Sequence, residues 1–174
     1  MATQTLILGG GCFWFLDAVF REVPGVLSSE CGYAGGARAN PSYQQVCTGA
    51  TGHAEVVRLH YDDARVDLDW LLTVFFTIHD PTTLNRQGND IGSQYRSIIF
   101  CADAAQRTFI EQRVQQEQTR WPQALVTEIA DVVPFWPAEA EHQDYYRHHP
   151  QQGYCQFVVA PKLLKYRQLQ EARP

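Results

Sequence analysis

Apolar and polar positions along the chain change period several times, and each change marks an element. The TQTLIL segment is a short apolar run that predicts a buried strand, and it leads straight into Gly9, Gly10 and Gly11. From Cys12 to about Val23 the pattern is helical, with Phe13, Val19 and Phe20 on related faces, and Pro24-Gly25 stops it. Val26–Cys31 predicts a second strand, and 32–51, with four glycines and Pro41, predicts loop. His53–Tyr61 alternates as a half-buried strand does. Leu68–Ile78 is a strongly apolar helix that closes at His79-Asp80-Pro81. The stretch 82–93 is polar and aperiodic, and long loops of that kind tend to carry function. Beyond it the pattern predicts a strand at Tyr95–Cys101, a glutamine-rich exposed helix at Ala104–Arg120 and a strand at Ala124–Val133. A helix at Glu139–His148, a strand at Gln156–Val159 and a short helix from about Pro161 complete the chain. Strands and helices mix without strict alternation, which predicts an α+β fold with a mixed sheet flanked by helices. No repeat, low-complexity tract or linker divides the chain, so residues 1–174 are expected to form a single domain.

Composition narrows what such a domain does. Apolar residues are 45% and charged residues 19% of the 174, a folding composition unlike that of a disordered chain or a coiled coil. Lys+Arg is 14 against Asp+Glu 19, a net charge of −5, which argues against binding nucleic acid or an anionic membrane surface. No apolar run approaches the ~18 residues of a membrane span. The opening MATQTLILGGGCFW lacks a basic leader, so a cytoplasmic location is expected. Five cysteines, at 12, 31, 47, 101 and 155, form no CxxC pair, which speaks against a zinc site and against a disulfide-stapled secreted fold. Cys101, in SIIFCAD, reads as a small buried hydrophobe. His142, His148 and His149 share one predicted helix end without metal-ligand spacing, so no metal and no other cofactor is expected.

Gly9-Gly10-Gly11-Cys12 joins a predicted strand to a predicted helix. Bare backbone allows a sharp turn and close approach, and it places Cys12 near the first helical turn. Unpaired N–H groups there favour an anion, which lowers a thiol pKa and makes a nucleophile. The same segment fits an ordinary tight turn with a buried cysteine cap and core aromatics. It satisfies neither GxGxxG nor a P-loop.

Five stretches occur in order along the chain: GGGCFWFLDAVFREVPGV, GYAGG, SYQQVCTGATGHAEVVRLHYD, HDPTTLNRQGNDIGSQYRSIIF and WPAEAEHQDYY. Together they resemble peptide methionine-S-sulfoxide reductase, type A, over nearly the whole chain. The fold this implies is two-layered, a ferredoxin-like core with extensions. The activity it implies is reduction of methionine S-sulfoxide, free or in proteins, recycled by thioredoxin or a similar thiol.

By this resemblance Cys12 is the nucleophile that attacks sulfur and becomes a sulfenic acid. Glu55, of GHAE, is the acid that protonates the sulfoxide oxygen; a solvated surface carboxylate is what its local sequence alone suggests. Tyr43, Tyr95 and Asp90 correspond to groups around that oxygen, and Phe13 and Trp14 to the aromatic wall that holds the methyl group. Cys155, of GYC, matches the cysteine that resolves the sulfenic acid, although the sequence after it continues into structure rather than a glycine-rich tail. Cys47 is its reserve. Asp17 departs from the usual glutamate, a mild change if that carboxylate positions a loop. Two rival readings remain: a Cys-His hydrolase or transferase using Cys12 with His53, and a silent module that binds oxidised methionine. His79, like His53, stands as a structural histidine.

Overall fold

The computed structural model describes residues 2–173. In chain order its elements are β1 (Thr3–Gly9), α1 (Phe13–Glu22), β2 (Val26–Ala34), α2 (Tyr43–Cys47), β3 (Ala54–Asp62) and α3 (Leu68–Ile78). They continue with β4 (Arg86–Gln87), β5 (Asp90–Ile91), β6 (Ile98–Cys101), α4 (Ala104–Gln118), β7 (Glu128–Asp131), β8 (Trp136–Pro137), α5 (Tyr145–His148) and α6 (Ala160–Glu171). Six strands form one mixed sheet in the order β7-β6-β1-β3-β2-β8, with β6 and β7 parallel and the other neighbours antiparallel. The central four, β6-β1-β3-β2, are connected through α1 and α3 in the ferredoxin-like manner. The remaining strands and helices extend that core.

Strand parity sorts the residues into two layers. Leu6 and Leu8 of β1, Cys31 and Tyr33 of β2, and Val57, Leu59 and Tyr61 of β3 enter the large core under the helices. Ile7, Ala34, Ala54, Val56, Ile98 and Phe100 form a smaller cluster on the other face. Because side chains alternate along a strand, Glu55 shares the parity of Val57, Leu59 and Tyr61 and points beneath the helices. It is paired in register with Tyr33.

The structure departs from the sequence expectation in the second half. Residues 139–148 are a 3-10 turn at Ala140–His142 and one helical turn at α5, separated by Asp144 in the left-handed region (φ 54). Gln156–Val159, expected as strand, falls within a π-helical turn, Cys155–Val159, that runs directly into α6. Hydrophobic 3.6-residue packing wins there over local β-propensity, since Cys155, Val159, Leu163 and Tyr166 are all buried. Ser93–Tyr95 forms a 3-10 turn before β6, and β7 is confined to Glu128–Asp131. The loop between β2 and β3 contains α2, started by a Ser42–Gln45 capping box. No described helix is long and apolar enough to cross a membrane.

Candidate active site

The turn that presents Cys12 demands glycine twice. A Cβ on Gly10 would lie 2.9 Å from the His79 ring and 3.0 Å from Phe75, and Gly11 has φ +105 with the Phe15 ring 2.7 Å from where its Cβ would be. Cys12 then takes the N-cap of α1 in extended conformation, and its side chain makes no cap bond. The Phe13 amide, one of the unpaired N–H groups of the first turn, donates to Glu55 Oε1 at 3.1 Å. Strand β3 and helix α1 thus meet at this one hydrogen bond beside Cys12.

Glu55 is fully buried, and its second oxygen, Oε2, has no hydrogen-bond partner of regular geometry. Burial pushes its carboxyl up to about 8; the Phe13 amide and the neighbouring Cys12 thiol oppose this, while charge on Asp90 adds to it. At neutral pH Glu55 is therefore a protonated acid. The Cys12 thiol is also pushed up, first by burial and then by Glu55, with the Trp14 amide and the Tyr154 hydroxyl pulling the other way. The helix start does lie at Cys12, but it does not lower this thiol in the substrate-free enzyme: desolvation and a neighbouring acid outweigh the dipole. Both groups are buried side by side, and burial favours the protonated form of each.

The other residues named from sequence gather around this pair. Tyr43 and Tyr95 have their hydroxyls held protonated by burial and by the charges of Glu55 and Cys12. Asp90, on β5 in the polar loop, accepts a 2.6 Å hydrogen bond from the Tyr154 hydroxyl. A cleft of about 230 Å³ opens beside Asp90 and Tyr154, with Phe15 and Lys162 on its walls. Phe13 is wholly buried and packs near Tyr43, with ring centroids 6.3 Å apart. Trp14 is half-buried and stacked on Tyr145 with ring centroids 3.7 Å apart at 2°, and Tyr154 meets it in a T-shaped contact with centroids 5.7 Å apart.

Cys155 is not on a mobile tail. It is completely buried in the core that also contains Cys12, on the π-turn packed against α1, and burial raises its thiol pKa. Cys47, at the exposed end of α2, lies beside the Tyr43 hydroxyl, and Cys101 is buried on β6. All five cysteines are unpaired.

Asp17 is buried and positions a loop. Its Oδ1 accepts from Ser29 Oγ at 2.6 Å and Arg21 Nε at 2.9 Å, and its Oδ2 from the Asp144 amide at 2.9 Å. That last bond holds the left-handed residue immediately before Tyr145, so the carboxylate secures the ring stacked on Trp14.

Neither candidate histidine is free to serve Cys12 as a base. His53 Nδ1 accepts from the Gly36 amide at 3.0 Å and its Nε2 meets the Arg38 carbonyl at 2.6 Å, which clamps the loop. His79 bonds the Phe75 carbonyl and Ser97 Oγ, and burial lowers its pKa to about 4. The Cys-His arrangement is therefore absent from these two residues.

Residues 4–173 match the peptide methionine sulfoxide reductase family. The chain belongs to this family. It is 54% identical over 160 residues to the peptide methionine sulfoxide reductase MsrA of Nautilia profundicola, 92% of each chain being covered. Mxr1 from Saccharomyces cerevisiae in reduced form superposes with a TM-score of 0.84 at 34% identity, covering 88% of this chain and 89% of that one. Mxr1 in complex with Trx2 superposes with a TM-score of 0.60 at 26% identity, covering 82% and 84%.

Within this reductase site, sequence reasoning missed Tyr154, Tyr33, Glu139 and Tyr145. Glu139 accepts from the Tyr33 hydroxyl and from the Tyr43 amide, both at 2.9 Å, and so fixes the start of α2 against β2. WPAEAEHQDYY carried part of the resemblance without any residue in it receiving a role, and the density of aromatic and polar side chains there was the available signal.

Proposed function

We propose that this chain reduces the S epimer of methionine sulfoxide, free or in proteins, with Cys12 as nucleophile and Glu55 as proton donor. The observation that carries this is the buried pairing of Cys12 with a protonated Glu55 whose Oε2 is unpartnered. The sulfoxide oxygen enters among Tyr43, Tyr95, Asp90 and Glu55, and the methyl group lies against Phe13 and Trp14. Glu55 gives its proton to the oxygen and takes up the proton of the Cys12 thiol, and the thiolate so formed attacks the sulfoxide sulfur to make an S–S bond. The protonated oxygen then passes from the methionine sulfur to the Cys12 sulfur: the S–O bond to methionine and the new S–S bond break, an S–O bond to Cys12 forms, methionine leaves and Cys12 carries a sulfenic acid. The R epimer exchanges methyl and oxygen, which would leave an oxygen unpaired against the aromatic wall at a cost of about 1–3 kcal/mol.

Recycling needs a second thiol. Cys155 attacks the sulfenic sulfur, expelling water and forming a Cys12–Cys155 disulfide, which thioredoxin or a similar dithiol reduces. The complex of the yeast relative with Trx2 supports this partner. A buried, protonated Cys155 has to be released first, and the π-turn is a natural place for such opening, since it interrupts regular helical bonding. Five unpaired cysteines fit work in the reducing cytoplasm.

The assay that tests the reading incubates the enzyme with methionine S- and R-sulfoxide and dithiothreitol. Turnover is expected with the S epimer alone; equal turnover of both epimers would reject the oxygen and methyl assignments. For recycling, Cys155→Ser is expected to lose thioredoxin-driven turnover by more than about tenfold while dithiothreitol-driven turnover persists. Unchanged rates with both reductants would remove Cys155 from the resolving role and leave Cys47 or direct external attack.

A further inference from the structure

The segment that sequence analysis left without a role encloses the aromatic wall. His142 is 6% exposed, although it belongs to a surface 3-10 turn. Its Nδ1 accepts the Trp14 indole N–H at 3.1 Å. Its ring also lies 4.4 Å from Tyr43 and 5.4 Å from Phe13, centroid to centroid, so one imidazole touches the methyl wall and the oxygen side together. The turn cannot drift, because the Gln143 side chain bridges the Cys31 amide and carbonyl at 2.8 and 2.9 Å.

We propose that His142 is a positioning residue for substrate recognition, its unprotonated Nδ1 fixing the rotation of the Trp14 ring against the substrate methyl group. The inference rests on the placement of Trp14 in the methyl wall. A tryptophan has two χ angles, and stacking on Tyr145 allows the ring to slide in its own plane. The indole hydrogen bond is the directional contact that opposes that slide. Without an acceptor at Nδ1 the half-buried N–H is unpaired, and the ring turns to find water. Binding of the methyl group weakens, whereas the Cys12–Glu55 chemistry, which His142 does not touch, continues once substrate saturates. The imidazole suits the task because burial favours its neutral form, against the charges of Glu139 and Glu141.

The test compares two replacements in steady-state assays with methionine S-sulfoxide and dithiothreitol. His142→Phe keeps an aromatic ring but removes the acceptor, and KM is expected to rise about tenfold with kcat within about threefold of the parent. His142→Asn puts an amide oxygen near the position of Nδ1 and is expected to restore most of the loss. Equal KM increases in both variants would overturn the proposal, because packing rather than the acceptor would then be responsible.

A double-mutant cycle separates this from the site assignment. In a Trp14→Phe background there is no indole N–H, so His142→Phe is expected to add nothing further. A full additional tenfold there overturns the His142 proposal and leaves the site intact. Trp14→Ala with an unaltered KM would instead overturn the methyl wall itself.

Discussion

Replacing Glu55 by glutamine is expected to slow the reductase step by roughly two to four powers of ten, the range for losing a positioned general acid. Glutamine preserves the shape, and its carbonyl can still accept the Phe13 amide that Glu55 Oε1 accepts at 3.1 Å. What it lacks is a transferable proton at the unpartnered oxygen. Rapid single-turnover measurement with methionine S-sulfoxide isolates this step, and a near-parental rate would exclude Glu55 as the donor. The same replacement carries an opposite expectation for stability. In the unfolded chain Glu55 ionises above its ordinary 4.5, whereas the folded protein holds the proton to about 8. Between those values the folded state binds more protons, so this group makes folding less favourable as pH rises, by on the order of 3–5 kcal/mol in all. Glutamine has no proton to lose. Urea unfolding at pH 5 and pH 8 should therefore show Glu55→Gln gaining on the parent at the higher pH. A variant that loses ground there would contradict a buried, protonated acid.

Cys12→Ser is expected to abolish sulfoxide reduction, a loss of more than about four powers of ten. Serine fits the position: the Cys12 side chain makes no cap bond, and a hydroxyl is a favourable N-cap. The fold should survive with a thermal midpoint close to that of the parent. Chemistry alone is lost. A serine hydroxyl is not ionised in this pocket, and transfer of the sulfoxide oxygen to it would create an O–O bond in place of a sulfenic acid. Mass spectrometry after one exposure to substrate should find one added oxygen on the parent with Cys155 replaced, and none on Cys12→Ser. Turnover surviving in Cys12→Ser would remove Cys12 as the nucleophile of the mechanism.

These expectations depend on features of very different visibility in the sequence. The strand-turn-helix that delivers Cys12 was plain, since three glycines between an apolar strand and an amphipathic helix permit little else. The α+β class and the four central strands followed from period changes. The segment 139–159 departs from its expected helix and strand because the conformation of its short turns is set by packing on α1 and β2 rather than by local propensity. Asp17 is a milder case. Its replacement of the usual glutamate suggested a loop contact, but that the loop was the one before Tyr145 required the hydrogen bond to the Asp144 amide.

Local sequence, then, determined where each side chain leaves the backbone. Alternation along β3 sends Glu55 to the same side as Val57, Leu59 and Tyr61, because successive strand residues face opposite ways. Tertiary structure alone decided what those side chains became. Glu55 is an acid because burial desolvates its carboxyl, and this outweighs the amide of Phe13, 42 residues away, which favours the ionised form. Trp14 is held by a histidine 128 residues further along the chain. Protonation and orientation are properties of surroundings, and the surroundings of this site come from distant segments that only the folded chain brings together.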